Sequence, residues 1–191
     1  DLRKPLLVRG ARQVGKSYSV AEFGRAHFER FVDLNLEKNA RLHRIFSGDL
    51  DARRIIGDLE VETGSRIEPG KTLLFLDEIQ ACPSALPVLG DLRELVPAQH
   101  VVAAGSLLDF ALRDFAHSMP VGRIEYLCLQ PLSFGEFLTA TGAESLAGWL
   151  ESYRLGTVVG EPLRDEFHRR LRDYMFVGGM PAAAATHAAG G

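Results

Sequence analysis

Residues 10–17 read Gly10-Ala11-Arg12-Gln13-Val14-Gly15-Lys16-Ser17, and no other stretch of the chain restricts its fold as much. The spacing is G-x-x-x-x-G-K-S. Its two glycines let the backbone curl without a Cβ in the way, so successive N–H groups point inward. A ring of N–H donors followed by a lysine is a cradle for phosphate. Lys16 supplies a point charge for β- and γ-phosphates. The Ser17 hydroxyl is an oxygen ligand for Mg²⁺, and the helix opening there offers its positive dipole end to an anion. The nucleotide-binding set is therefore Gly10, Ala11, Arg12, Gln13, Val14, Gly15, Lys16, Ser17 and Tyr18. Such a loop requires a buried strand before it and a helix after it. Pro5-Leu6-Leu7-Val8 is a short apolar run, and Ser17 to Phe23 starts a helical pattern. At average residue frequencies the motif arises by chance in roughly one chain in a hundred of this length, so a merely Gly-rich turn is the weaker reading.

A second motif matches the first. Thr72-Leu73-Leu74-Phe75-Leu76-Asp77-Glu78 is an apolar strand that ends in two carboxylates. Acids straight after a buried strand are costly unless they meet water or a metal. In a phosphate-loop enzyme this is the Walker B position. Asp77 then holds Mg²⁺, directly or through water, and Glu78 orients and deprotonates the attacking water. Taken alone, the strand reads equally well as one leading into a capped helix.

Composition mainly excludes. The chain has 191 residues, room for one α/β domain and a small appendage. No stretch approaches the ~18 unbroken apolar residues of a membrane span, and Asp1-Leu2-Arg3-Lys4 has no signal-peptide core. Cys82 and Cys128 show neither metal spacing nor a disulfide framework, so a cytoplasmic setting is expected. A net charge of −3 gives no case for nucleic-acid binding. The absent initiating Met and the Ala/Gly-rich end read as an excised piece of a longer protein.

Apolar runs at 6–9, 31–36, 72–77, 100–104 and 124–129 alternate with helical patterns at 17–28, 38–46, 50–62, 84–95 and 106–116. This alternation predicts an α/β fold with a parallel sheet. Residues 64–70 read as a polar surface loop. Beyond residue 129 only helical patterns occur, at 133–139, 143–153 and 161–176. The resulting division is a core over 1–130, a small helical lid over 131–181 and an Ala/Gly-rich end over 182–191 with no assigned element. In 161–176, Leu163, Phe167, Leu171 and Tyr174 fall on one stripe. Asp165–Arg169 and Glu166–Arg170 are i,i+4 pairs, so the arginines there read as an ion-paired face rather than a nucleic-acid patch. Trp149, among Leu146, Leu150 and Tyr153, reads as packing.

Three polar residues have two readings each. Ser106 ends the apolar run His100–Gly105; it either faces a γ-phosphate or attacking water, or N-caps a helix from Leu107, or does both. Asn35 either bonds Glu78 and holds it from catalysis, or is a strand-end residue meeting solvent or capping the following helix. Arg123 is either an arginine finger for a neighbouring subunit's nucleotide or a surface residue paired with Glu125 or another acid.

The blocks Arg3–Ser17, Leu76-Asp77-Glu78-Ile79-Gln80, Ala104-Gly105-Ser106, Gly122-Arg123, Leu129–Leu138 and Phe176-Val177-Gly178-Gly179-Met180-Pro181 together resemble the prokaryotic AAA-type P-loop ATPases that carry a DUF4143 region at their C-terminus. The resemblance implies an AAA+ three-layer sandwich with a five-stranded parallel sheet of order 5-1-4-3-2 and a helical lid. It implies Lys16 and Ser17 as Walker A, Asp77 and Glu78 as Walker B, Ser106 as sensor 1 and Arg123 as the arginine before the fifth strand. The catalytic set is thus Lys16, Glu78, Ser106 and Arg123, with Ser17 and Asp77 on Mg²⁺.

The expected activity is Mg²⁺-dependent ATP hydrolysis that drives conformational change in an attached domain or an unknown protein client, with a homo-oligomer possible. The alternatives are a nucleotide-dependent switch that scarcely hydrolyses and a small-molecule kinase. No Asn-Lys-x-Asp motif supports a GTPase.

Overall fold

The computed structural model describes residues 3–48, 51–106 and 122–190. They fall into two units, one running to Leu129 and one starting at Gln130.

In the first unit β1 (Leu6–Arg9), β2 (Arg30–Asn35), β3 (Thr72–Asp77), β4 (His100–Gly105) and β5 (Glu125–Cys128) form one sheet in the order β2-β3-β4-β1-β5. Every pairing is parallel. This is the implied order read from the other edge. Strand side chains alternate between faces, and the core follows that period of two. Leu74 and Leu76 pack with Leu7, Val32, Leu34, Val101 and Ala103 on one face. Leu73 and Phe75 pack with Val8, Val102 and Ala104 on the other. With both faces covered, all six residues of β3 are buried, as expected of an interior parallel strand.

α1 (Lys16–His27), α2 (Leu42–Ile45), α3 (Ala52–Thr63) and α4 (Ala85–Leu95) join these strands. Ala52, Ile55 and Leu59 of α3 enter the first cluster with Leu86, Val88, Leu89 and Leu92 of α4, while Val20 of α1 enters the second. α3 starts where the Asp51 carboxylate accepts the N–H groups of Arg53 and Arg54, and it ends at left-handed Gly64.

The helix expected over 38–46 shrinks to Leu42–Ile45. Side chains explain the loss. Asn35 Oδ1 takes the Lys38 N–H at 2.8 Å, and Asn39 Oδ1 takes the Arg41 N–H at 3.2 Å. These bonds turn the chain and take N–H groups that a helix would use. Of the helix expected over 106–116, all but Ser106 lies outside the described residues.

The second unit holds α5 (Phe134–Ala140), α6 (Glu144–Ser152), α7 (Glu161–Val177) and α8 (Pro181–Ala188). Ser133 and Glu136 form a reciprocal capping box at the start of α5. The sequence pattern assigns no element to 182–191, yet α8 occupies most of it. Local propensity accounts for this: alanine is the strongest helix former, and Pro181 stands at the helix start, where its missing N–H costs nothing. The α7 stripe is half-buried, except for exposed Leu171. Trp149 packs against Tyr153 and Phe167. Of the two expected ion pairs, Glu166–Arg170 forms at 3.1 Å and Asp165–Arg169 does not; Arg169 turns instead to Glu166 and Asp173.

The unit is clasped at Leu132. Its N–H donates to Gly179 O at 2.7 Å, and its carbonyl accepts the Tyr174 hydroxyl at 2.8 Å. A Cβ on Gly179 would lie 2.2 Å from that carbonyl oxygen, so only glycine permits this approach. Among the described residues no helix is long and apolar enough to cross a membrane.

Candidate nucleotide-binding site

Parallel strands place their C-terminal ends along one edge, and ligands of such sheets sit outside that edge. Here the loop follows β1, Asp77 and Glu78 end β3, and Ser106 ends β4, which lies between those strands. Strand order thus gathers residues far apart in sequence: Ser17 and Asp77 are 60 positions apart, and Glu78 and Ser106 are 28.

The loop has the predicted curl. Gly10 has φ 149°, Gln13 φ 64° and Gly15 φ 101°. A Cβ at Gly10 would come within 2.2 Å of Leu129 O, whereas one at Gly15 would meet nothing within 4 Å. Gly10 is therefore fixed by close approach as well as by φ, and Gly15 by φ alone. Gly15 N-caps α1, whose first bond runs from Ser19 N–H to Gly15 O at 2.9 Å. The N–H groups of the first turn have no partner within a helix, and here they belong to Lys16, Ser17 and Tyr18. The Tyr18 ring points into solvent, 73% exposed, so its backbone is what it brings to the site. Ala11, Arg12 and Gln13 are exposed and Val14 is buried. Arg12 lies 3.9 Å from Glu37.

Lys16 is buried, and its Nζ donates to the carbonyls of Gly10 at 3.0 Å and Ala11 at 2.8 Å. Burial lowers its pKa, and the negative charges of Glu78 and Asp77 oppose that shift. Ser17 Oγ donates to Asp77 Oδ2 at 2.9 Å. Two adjoining oxygens, a hydroxyl and a carboxylate, suit a hard cation such as Mg²⁺, which takes few protein ligands and completes its shell with phosphates and water. The donor set fits the expected ion.

Asn35 departs from the Glu78 reading and keeps the capping part of the other, with a further bond that neither included. Its amide does not reach Glu78; Nδ2 donates to Asp77 Oδ2 at 3.2 Å while Oδ1 caps Lys38. β2 lies beside β3 in register, with Asn35 opposite Asp77, and that pairing decides the partner. Glu78 is held by Ser106, whose Oγ donates to Oε2 at 3.4 Å, and by the side-chain amide of Gln80. Ser106 is 5% exposed. Gln80 lay inside a quoted motif without a role; a polar residue between Ile79 and Ala81 was the available signal.

Among the described residues, Gln13 and Glu78 are the non-glycines with positive φ, and both lie in this site. Left-handed backbone costs such residues roughly 1–2 kcal/mol, and strain of this kind concentrates at functional sites. Arg123 is the one candidate engaged elsewhere. It is half-exposed and bonds Glu94 at 3.2 Å, not Glu125.

A family model described as an AAA domain matches residues 2–138. The chain belongs to the AAA domain family. It contains a nucleotide-binding AAA+ ATPase domain, and the loop, strand order and paired carboxylates of that domain are those described above. Its fold is also seen in the structure of Drosophila ORC bound to DNA, with 16% identity and a TM-score of 0.50, covering 80% of this chain and 45% of that one. Aeropyrum pernix ORC2, solved as ADPNP–ADP complexes, gives 16% identity and 0.47 over 73% and 45%. AMPPCP-bound DnaA from Aquifex aeolicus gives 12% and 0.46 over 98% and 54%. The AAA chain thus spans about half the length of these structures. No curated protein matches it.

Proposed function

We propose that this AAA domain binds Mg²⁺–ATP and hydrolyses it to ADP and phosphate, and that the nucleotide state changes the conformation of an attached domain or partner. The observation that carries the reading is the convergence of Lys16, the Ser17–Asp77 pair, Glu78 and Ser106 on one edge of the sheet. Lys16 would exchange its loop carbonyls for β- and γ-phosphate oxygens. Ser17 and Asp77 would hold Mg²⁺, which supplies neutralising charge on those oxygens. Glu78 would orient a water and take its proton as the oxygen bonds the γ-phosphorus and the bond to the β-phosphate oxygen breaks, releasing ADP. Ser106 would donate to the γ-phosphate.

The Arg123–Glu94 contact favours one rival, a switch that binds ATP and scarcely turns over alone. In that case Arg123 would serve as a finger only when a neighbouring copy lies within its reach. Glu78→Gln keeps shape and removes the base. It should bind Mg²⁺–ATP as wild type does, by isothermal titration, while turnover drops ~10²-fold or more. Normal hydrolysis by Glu78→Gln would remove Glu78 as the base, and a wild type that binds but never hydrolyses, at any protein concentration, would favour the switch.

A further inference from the structure

We propose that Gln80 is a positioning residue that aims the Glu78 carboxylate; this rests on the hydrolase reading above. Gln80 lies in the single 3₁₀ turn Ile79–Ala81 that follows β3. The turn is rigidly set. Ile79 is fully buried, Ala81 N–H donates to Glu78 O at 2.9 Å, and Cys82 N–H donates to Ile79 O at 3.0 Å. From this base the Gln80 Nε2 donates to Glu78 Oε2 and lies 3.5 Å from Ser106 Oγ. Ser106 Oγ donates to the same Oε2 at 3.4 Å. Both restraints on Glu78 therefore fall on Oε2, which leaves Oε1 for the attacking water.

The orientation of the amide follows from chemistry. A carboxylate only accepts, so it must face the NH₂ side of glutamine and not its oxygen. With nitrogen there, Gln80 Oε1 is buried and has no hydrogen-bond partner among the described residues. An unmet buried acceptor is destabilising. Judged on the described residues, an apolar side chain would fill the same space without that penalty, so packing among them does not call for a glutamine. What the amide does that an apolar group could not is hold Glu78. The need is real, because Glu78 hangs from left-handed backbone at φ 51° and its side chain has free torsions of its own. General-base catalysis is sensitive to small misplacements of the base.

Three variants test this on the full chain. Gln80→Ala should lower kcat ~10- to 100-fold while Mg²⁺–ATP affinity stays within about twofold of wild type. Gln80→Glu keeps the volume, loses the donor and places a second carboxylate against Glu78. It should lower kcat similarly, because a glutamate there cannot donate to Glu78 Oε2 and repels it instead. A merely structural Gln80 would lower folding stability or Mg²⁺–ATP affinity along with kcat. Unchanged or raised kcat in both variants overturns the proposal. A wild type that binds ATP without hydrolysing it sinks the hydrolase reading instead, and the contact is then judged by nitrogen-15 NMR of the Gln80 side-chain amide. Its two proton shifts should be widely split in wild type and collapse in Glu78→Ala; an amide that is unaffected by Glu78→Ala overturns the proposal without any turnover measurement.

Discussion

Every residue of β3 is buried, whereas α7, a helix of 17 residues, buries none. The two elements stand for two ways of keeping order. β3 is desolvated on both faces and hydrogen-bonded along both edges, so its end point is rigid. α7 is held by a half-buried stripe, by surface ion pairs and by the Tyr174 bond to Leu132. A helix of this kind depends on many weak contacts, because isolated helices are marginal in water. The chemistry of the domain sits on the first kind of element, where sub-ångström placement is affordable. The second unit also presents large apolar side chains to solvent, with Met175 78% and Phe176 94% exposed.

Substitutions can sharpen this contrast or break it. The largest effect should come from Phe75→Ala in β3. Phe75 is fully buried, and truncation of such a side chain costs about 3–5 kcal/mol. Urea unfolding should show this as a large drop in midpoint; a loss near zero would mean that β3 is not the rigid element described. Next comes Ser133→Ala, which breaks the capping box of α5 and should cost about 1 kcal/mol. Its effect should appear in the helical unit, read by amide hydrogen exchange over Phe134–Ala140, with β3 amides unchanged. Equal loss of protection in both places would erase the distinction.

The smallest effect concerns Glu166. Hydrogen bonds from Arg169 and Arg170 hold its pKa down to about 2, from a usual 4.5. A depressed acid stabilises the fold above its unfolded pKa, and that contribution is lost as pH falls through the folded value. The window is therefore pH 4.5 down to about 2. Glu166→Gln should flatten the loss of helix signal over that window, by circular dichroism at low salt. The carboxylate is partly exposed, so high salt should shrink the difference between variant and wild type. A variant identical to wild type at low salt would show these pairs to be ornamental.

Much of the site was legible because its signals are local. The loop needs its glycines and lysine in one order, and strand-end carboxylates announce themselves against an apolar run. The interior strands β3 and β4 were legible for the same reason, since burial on both faces leaves an apolar string, whereas all four residues of β5 are exposed. What was not legible depends on pairing between distant strands. The partner of Asn35 is set by the register of β2 on β3, which no spacing within residues 30–35 encodes. Arg123 found Glu94, not the nearer Glu125, because the path of the chain and not sequence distance decides which acid is close. The short helix at Leu42–Ile45 was overestimated because a periodic pattern does not register asparagine side chains that compete for backbone N–H groups. The helix at Pro181–Ala188 was missed for the opposite reason: alanine forms helix without any periodicity to read.

The clasp at Leu132 has a consequence for chain entropy and for the order in which contacts form. Tyr174 and Leu132 are 42 residues apart. Closing a loop of that length costs on the order of 3 kcal/mol or more before any contact rewards it. Forming α5, α6 and most of α7 first would shorten that loop, so the clasp is expected to close last. A fragment stopped before Gly179 would keep α5, α6 and α7 whole and still lose one strand of the fastening. Such a fragment should hold its helices as a loose, rapidly exchanging set, the state expected of a knot left untied and not of a piece cut away.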